Sequence, residues 1–276
     1  MEFNWGILFY IAGIYGFTRF LVSVKDGSDR KIVNWTPLES LGVTVFIYFF
    51  GQLVGGLLVY SSAVLWGWDN NRIISWMSDD SVGQFITVLL IESISMLLLF
   101  GFLHKRKVKL ATIGLVKKFK ISDVVRAVAY YVVYFISYLV VVKVVVELIP
   151  ALDINQKQEI GFNSVASWQL PLVFMSLVIL PPVVEEIIMR GFLYTGLKNK
   201  LPKIWAILIT SLLFAVAHLQ AGSGEKLLWI AALDTFILSI FLIRLKEKTG
   251  NLWAPIFLHS IKNFVAFLSI FIFKIV

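Results

Sequence analysis

The chain has 276 residues, of which 59% are hydrophobic and 15% charged, and its formal net charge is +8. A soluble domain carries about 25% charged residues, so a water-facing surface over the whole chain is excluded, and the basic balance points to membrane topology rather than to nucleic acid. There is no cysteine, which excludes disulfides, thiolate catalysis and Cys-ligated zinc.

The apolar residues come in blocks of roughly 20, the length that crosses a hydrocarbon core of about 30 Å. They predict an all-α polytopic membrane protein with about eight transmembrane helices, at 5–24, 41–66, 83–103, 125–147, 168–197, 203–219, 227–245 and 252–274. The first block contains Arg19 and lacks a small-residue cleavage site, so it reads as a retained helix rather than a signal peptide. From His104 to Lys120, Val108, Leu110, Ile113, Leu115, Val116 and Phe119 alternate with lysines. That pattern fits a basic amphipathic segment on the inner leaflet, or a charged loop that fixes orientation. The polar stretch from Asp153 to Glu159 reads as an ordinary outer loop. The fifth block is the least regular, with Pro181-Pro182 in mid-run followed by Glu185-Glu186. Proline removes a helix hydrogen bond, which a membrane tolerates only where protein or a water-filled cavity satisfies the freed groups.

Basic residues sort by loop. Alternate loops and helix ends hold 17 of them, including Lys105, Arg106, Lys198, Lys203 and Lys246, against four elsewhere: Arg72, Lys157, Lys226 and Lys274. Positive residues stay cytoplasmic, so both termini are expected outside a plasma membrane. The organisation expected is an N-terminal part, 1–124, of unassigned role, and a C-terminal core, 125–276.

Ionisable groups inside a membrane are costly and mark function or a compensating pair. The first four spans hold few: Arg19, Glu92 and Lys143. The C-terminal spans hold Glu185, Glu186, Arg190, His218, Asp234, His259, Lys262 and Asn263. Glu186 and Arg190 stand at i and i+4, close enough for an ion pair. Glu185 lies about 100° around the helix from Glu186 and can point into a cavity. Phe214 and His218 share a face at i, i+4, as do His259 and Asn263. A carboxylate and a histidine with access to water supply a general base and its partner. A second histidine and an amide supply donors for a developing oxyanion. The competing chemistry is a zinc site on His218, His259 and Glu185, with the metal activating its bound water. Structural hydrogen bonds between helices are the plainer alternative.

Glu185-Glu186-x-x-x-Arg190, Phe214-x-x-x-His218 and His259-x-x-x-Asn263 together resemble the CPBP family of intramembrane proteases. This family takes in the CAAX prenyl proteases of the Rce1 type and the bacterial Abi, bacteriocin-processing and self-immunity proteins. The resemblance covers about residues 110–270, with Ile113-Gly114-Leu115 resembling an entry segment. It implies that Glu185 activates the attacking water with His218 assisting, and that His259 and Asn263 stabilise the oxyanion. Glu186 and Arg190 would organise the site, and Phe214 would pack beside it. It implies no certain cofactor, a divalent metal such as zinc staying open. The partners it implies are a membrane-associated peptide or protein substrate and the lipid bilayer, without nucleic acid. The Lys-, Ile- and Phe-rich composition resembles that of low-GC Gram-positive bacteria, where relatives are tied to bacteriocins, pheromones or immunity. A non-catalytic immunity or scaffold protein is the alternative function. A transporter using Asp234 and Lys262 ranks behind it, since no inverted repeat is visible.

Overall fold

The computed structural model describes residues 15–16, 33–116, 118–152, 161–162, 165–220 and 227–275. Most of the expected first span, with Arg19, and the whole 153–159 stretch lie outside the described residues. The rest folds into helices: α1 (Pro37–Leu65), α2 (Asn70–Ser78), α3 (Ser81–Lys105), α4 (Ile121–Leu148), α5 (Ser167–Lys200), α6 (Lys203–Ala217), α7 (Trp229–Thr249) and α8 (Trp253–Ile272). No strand occurs among the described residues. The protein is an all-α, multi-pass membrane protein. Five helices, α1, α3, α4, α5 and α8, are long and apolar enough to cross a membrane. The expectation of about eight spans is therefore met by five among the described residues. At about 1.5 Å per residue, the 15-residue α6 is shorter than the hydrocarbon core. α7 is long enough but carries Asp234, Arg244, Lys246, Glu247 and Lys248.

Burial on α1 follows the logic of a bilayer. Ser40, Thr44, Gly51, Gly55 and Ala63 face inward, while Phe46, Phe49, Leu53 and Leu57 are exposed. With lipid outside, apolar bulk need not be buried, and small residues at the interface let backbones approach. A Cβ on Gly55 would lie 2.6 Å from Ile91 Cγ1, and one on Gly51 would strike the Ser95 hydroxyl. These two glycines, a turn apart, seat α1 against α3.

The ends of this pair are fastened. Thr36 caps α1 in a reciprocal box with Glu39, and Glu39 pairs with Arg106 at the far end of α3. Arg106 also donates to the Asn34 carbonyl at 2.9 Å, and its own carbonyl accepts from Asn34 Nδ2 at 2.7 Å. At the same end of the bundle as the α5–α6 turn, Glu247 of α7 pairs with Lys198 at 2.9 Å and Lys203 at 2.6 Å. The 104–120 stretch forms a short 3₁₀ turn, Leu110–Ile113, with Ile113 fully buried. It is tied to the start of α8 by Leu252 N–H on Gly114 O (2.9 Å) and Trp253 Nε1 on Val116 O (3.0 Å). α7 runs through the middle of the C-terminal half, packed on α4, α6 and α8. One apolar cluster crosses residue 124, joining Trp35, Ile47 and Leu99 to Ile187, Phe214 and Ile256.

Candidate active site

Helix α5 is broken where the site forms. An α-helical carbonyl at 177 would accept from the N–H of residue 181, and a widened turn would use residue 182. Both are proline and lack the donor. The nearest remaining donor, Leu180 N–H, is taken by Met175 O. The Leu177 carbonyl is thus orphaned within its own helix, and Met175–Ile179 opens into a π-helical turn. Asn263 of α8 supplies the partner, its Nδ2 donating to Leu177 O at 2.8 Å. A second widened stretch, Glu186–Leu193, follows, closed by Tyr194 N–H on Met189 O. Such bulges recur at functional sites. Glu185 and Glu186 sit at the junction.

The two carboxylates have opposite surroundings. Glu186 is fully buried, and its Oε1 accepts from Arg190 Nη1 at 2.9 Å and from His259 Nδ1 at 3.0 Å. The Arg190 guanidinium lies 4.1 Å from the centroid of the Phe214 ring, which it covers. The Arg190 carbonyl accepts from the buried Lys246 Nζ, which also bonds Thr195 Oγ1 at 2.6 Å. Glu185 is half-buried and makes no such bond. Its Oε2 stands 3.7 Å from His218 Nε2 and 3.9 Å from His259 Nε2, with no hydrogen-bond partner among the described residues. His218 Nδ1 lies 2.8 Å from the Phe214 carbonyl. A carbonyl only accepts, so Nδ1 carries a proton, and in the neutral ring the Nε2 that faces Glu185 is a bare acceptor. Phe214 wedges edge-on between the imidazoles, with ring centroids 4.5 Å from His218 and 5.9 Å from His259.

Glu185 and His218 form the partition between two cavities. The larger, about 450 Å³, opens toward α1 and α3 and is lined by Thr44, Tyr48, Gln52 and Glu92. The smaller, about 240 Å³, opens toward α8 and is lined by His259, Lys262 and Asn263. Lys262 pairs with Asp234 of α7 at 3.2 Å, and Asp234 accepts from the Tyr134 hydroxyl of α4. That pair joins three helices and neutralises itself.

The structure therefore brings Glu185, Glu186, Arg190, Phe214, His218, His259 and Asn263 together, from α5, the α6 terminus and α8. Sequence reasoning missed Thr44, Tyr48 and Gln52. Their spacing at i, i+4 and i+8 puts three polar residues on one stripe of an apolar helix, and that was the available signal. It also missed Lys246, counted as a loop cation but buried within α7.

For a tetrahedral zinc with bonds of about 2.0–2.2 Å, ligand atoms stand roughly 3.4 Å apart. The two Glu185–imidazole separations are wider. Among the described residues no group of three His, Asp or Glu side chains is arranged to hold a metal ion. The residues in this arrangement do not fit the zinc site, and no step below runs through one.

Fold and site together define a multi-pass helical membrane protein with a carboxylate flanked by two imidazoles inside its bundle. Residues 167–265 match the family model described as type II CAAX prenyl endopeptidase Rce1-like. The resemblance read from the motifs is shown for that segment, which contains every motif residue from Glu185 to Asn263. A protein of Bacillus subtilis (strain 168) named "Putative membrane peptidase YdiL" is 33% identical over 94 residues, 34% of this chain and 35% of that protein. The chain spans about a third of the length of the curated relative it matches. No solved structure matches it.

Proposed function

We propose that this protein is an intramembrane endopeptidase that hydrolyses a peptide bond of a membrane-associated peptide or protein, with Glu185 as the general base. The observation that carries the reading is Glu185 Oε2 facing two imidazole Nε2 atoms on the wall between two cavities. Glu185 Oε2 and the bare His218 Nε2 are both acceptors, too far apart to share one proton directly. A substrate water seated between them gives one O–H to each, which orients a lone pair for attack.

Glu185 takes a proton as the water oxygen bonds to the carbonyl carbon, whose π electrons move to oxygen. His259 keeps its Nδ1–H on Glu186, so in the imidazolium form Nε2–H is free to stabilise the oxyanion. Asn263 has two amide hydrogens. One is committed to Leu177 O, and the other is available to the cavity that Asn263 lines. Collapse breaks the C–N bond, and Glu185 returns its proton to the leaving nitrogen. The setting we propose is a bacterial plasma membrane with both termini outside, on the asymmetry of basic residues. Bacteriocin or pheromone maturation and self-immunity are the roles the family resemblance suggests.

The test is cleavage of a peptide mixture by the purified protein in detergent, with Glu185→Gln and His218→Gln beside it. Loss of the general base is expected to slow turnover by about 10²- to 10⁴-fold. Cleavage by Glu185→Gln at the parent rate refutes the proposal. Repeating the assay with a chelator separates the glutamate route from a metal-dependent one.

A further inference from the structure

We propose that the larger cavity is a subsite for a basic side chain of the substrate, an arginine or lysine beside the cleaved bond, recognised by Glu92 of α3. This deepens the peptidase reading and rests on it for the word substrate. At about 450 Å³ the cavity is within the range of small-molecule sites, roughly 300–1,000 Å³. Glu92 and Glu185 both line it, and no lysine or arginine does. The Glu92 side chain makes no hydrogen bond or ion pair among the described residues. Two carboxylates sharing a weakly solvated chamber repel each other, and a cation between them removes the conflict.

Independent of that charge, the wall holds buried hydrogen-bonding groups with nothing to bond. Thr44 is fully buried, and its Oγ1, the Tyr48 hydroxyl oxygen and Glu185 Oε2 have no partner among the described residues. Buried polar atoms are rarely left so. The hydroxyls can accept as well as donate and the carboxylates only accept, so a guanidinium with five donors or an ammonium with three is the group that meets all of these oxygens at once. Glu92 owes its position to the close seating of α1 on α3, because Gly55 contacts Ile91, the residue before it. Both helices lie outside residues 167–265. The family-matched segment thus supplies the hydrolytic groups, and the N-terminal helices supply the chamber that reads the substrate.

Two measurements test this. The first needs no turnover. Hexylguanidinium, with hexanol as the neutral control, is titrated against the purified protein in detergent while the thermal midpoint is followed. A saturable rise with hexylguanidinium alone is expected. Its apparent affinity should fall at least tenfold in Glu92→Gln, recover in Glu92→Asp, and weaken in Tyr48→Phe, which keeps the ring. No saturable rise in the parent, or an equal one in Glu92→Gln, overturns the inference. The second maps cut sites in a randomised peptide library by mass spectrometry. Arginine and lysine should be enriched at least tenfold at one position beside the cut, and Glu92→Gln should flatten that enrichment. Cleavage without basic enrichment overturns the subsite and spares the peptidase. Guanidinium binding without any cleavage does the reverse.

Discussion

Replacing Arg190 tests whether the buried pair or the apolar packing around it holds the site together. Both side chains of the Glu186–Arg190 pair are fully buried, at 2.9 Å. Removing one partner of such a pair strands a charge and costs about 3–5 kcal/mol. The guanidinium also covers the Phe214 ring at 4.1 Å, a contact of about 2 kcal/mol when desolvated. His259 Nδ1 stays on Glu186 at 3.0 Å and offsets part of the loss. Arg190→Met is therefore expected to cost about 4 kcal/mol, close to a thousandfold in the unfolding constant. Glu186→Gln should cost about 3 kcal/mol, by leaving the guanidinium uncompensated. The double variant removes both charges together, so its loss should fall short of the sum by about 2–3 kcal/mol. Unfolding by sodium dodecyl sulfate in mixed micelles measures all four corners of the cycle. Additivity within about 0.5 kcal/mol would refute the argument, because it would mean the two side chains act independently.

Asn263→Leu strands the Leu177 carbonyl and should lower stability by about 1–2 kcal/mol in the same assay. Pro181→Ala returns an N–H four residues on, so the pair of changes should be less harmful than Asn263→Leu alone. Gly55→Leu places its Cβ 2.6 Å from Ile91 Cγ1, and overpacking of this kind costs about 1–3 kcal/mol. It should also abolish the hexylguanidinium response by displacing Glu92. Glu247→Gln removes the common partner of Lys198 and Lys203. These half-buried pairs near an interface should cost no more than about 1 kcal/mol, read as a small shift in the thermal midpoint.

The helices that could be read from sequence are α1 and α3 to α8, each within a few residues of an expected apolar block, although α6 and α7 are not among the five long, apolar spans. α2 escaped because nine residues with one buried side chain, Ile73, leave almost no periodic signal. The convergence of Glu185, His218 and His259 was legible because ionisable residues are so sparse in the membrane that three helices carrying them have few other places to put them. The partners were not legible. Arg106, Lys198, Lys203 and Lys246 look alike as loop cations, yet each is committed to a carboxylate or a carbonyl that only the packed bundle brings near. Pro181-Pro182 did announce an orphaned carbonyl at Leu177. That Asn263 would meet it depends on how α8 leans on α5, which no local pattern encodes.

Adjacent glutamates on one helix invite the idea that they are interchangeable, and the geometry separates them. Glu186 Oε1 is held by a guanidinium and an imidazole at hydrogen-bond distance, so its carboxylate is part of the scaffold. Glu185 has a buried oxygen with no hydrogen-bond partner among the described residues, facing the His218 Nε2 on one side and a second carboxylate, Glu92, across the cavity. Reactive groups held this way cost stability. Glu185→Gln is nearly isosteric, removes the repulsion from Glu92, and offers an amide N–H to His218 Nε2. It should therefore stabilise the protein by about 1 kcal/mol while slowing turnover by about 10²- to 10⁴-fold, whereas Glu186→Gln should weaken both. Unfolding of the two variants under one set of conditions decides the matter. A Glu185→Gln protein that is less stable than the parent would place residue 185 in the scaffold with its neighbour and remove the ground for calling it the base.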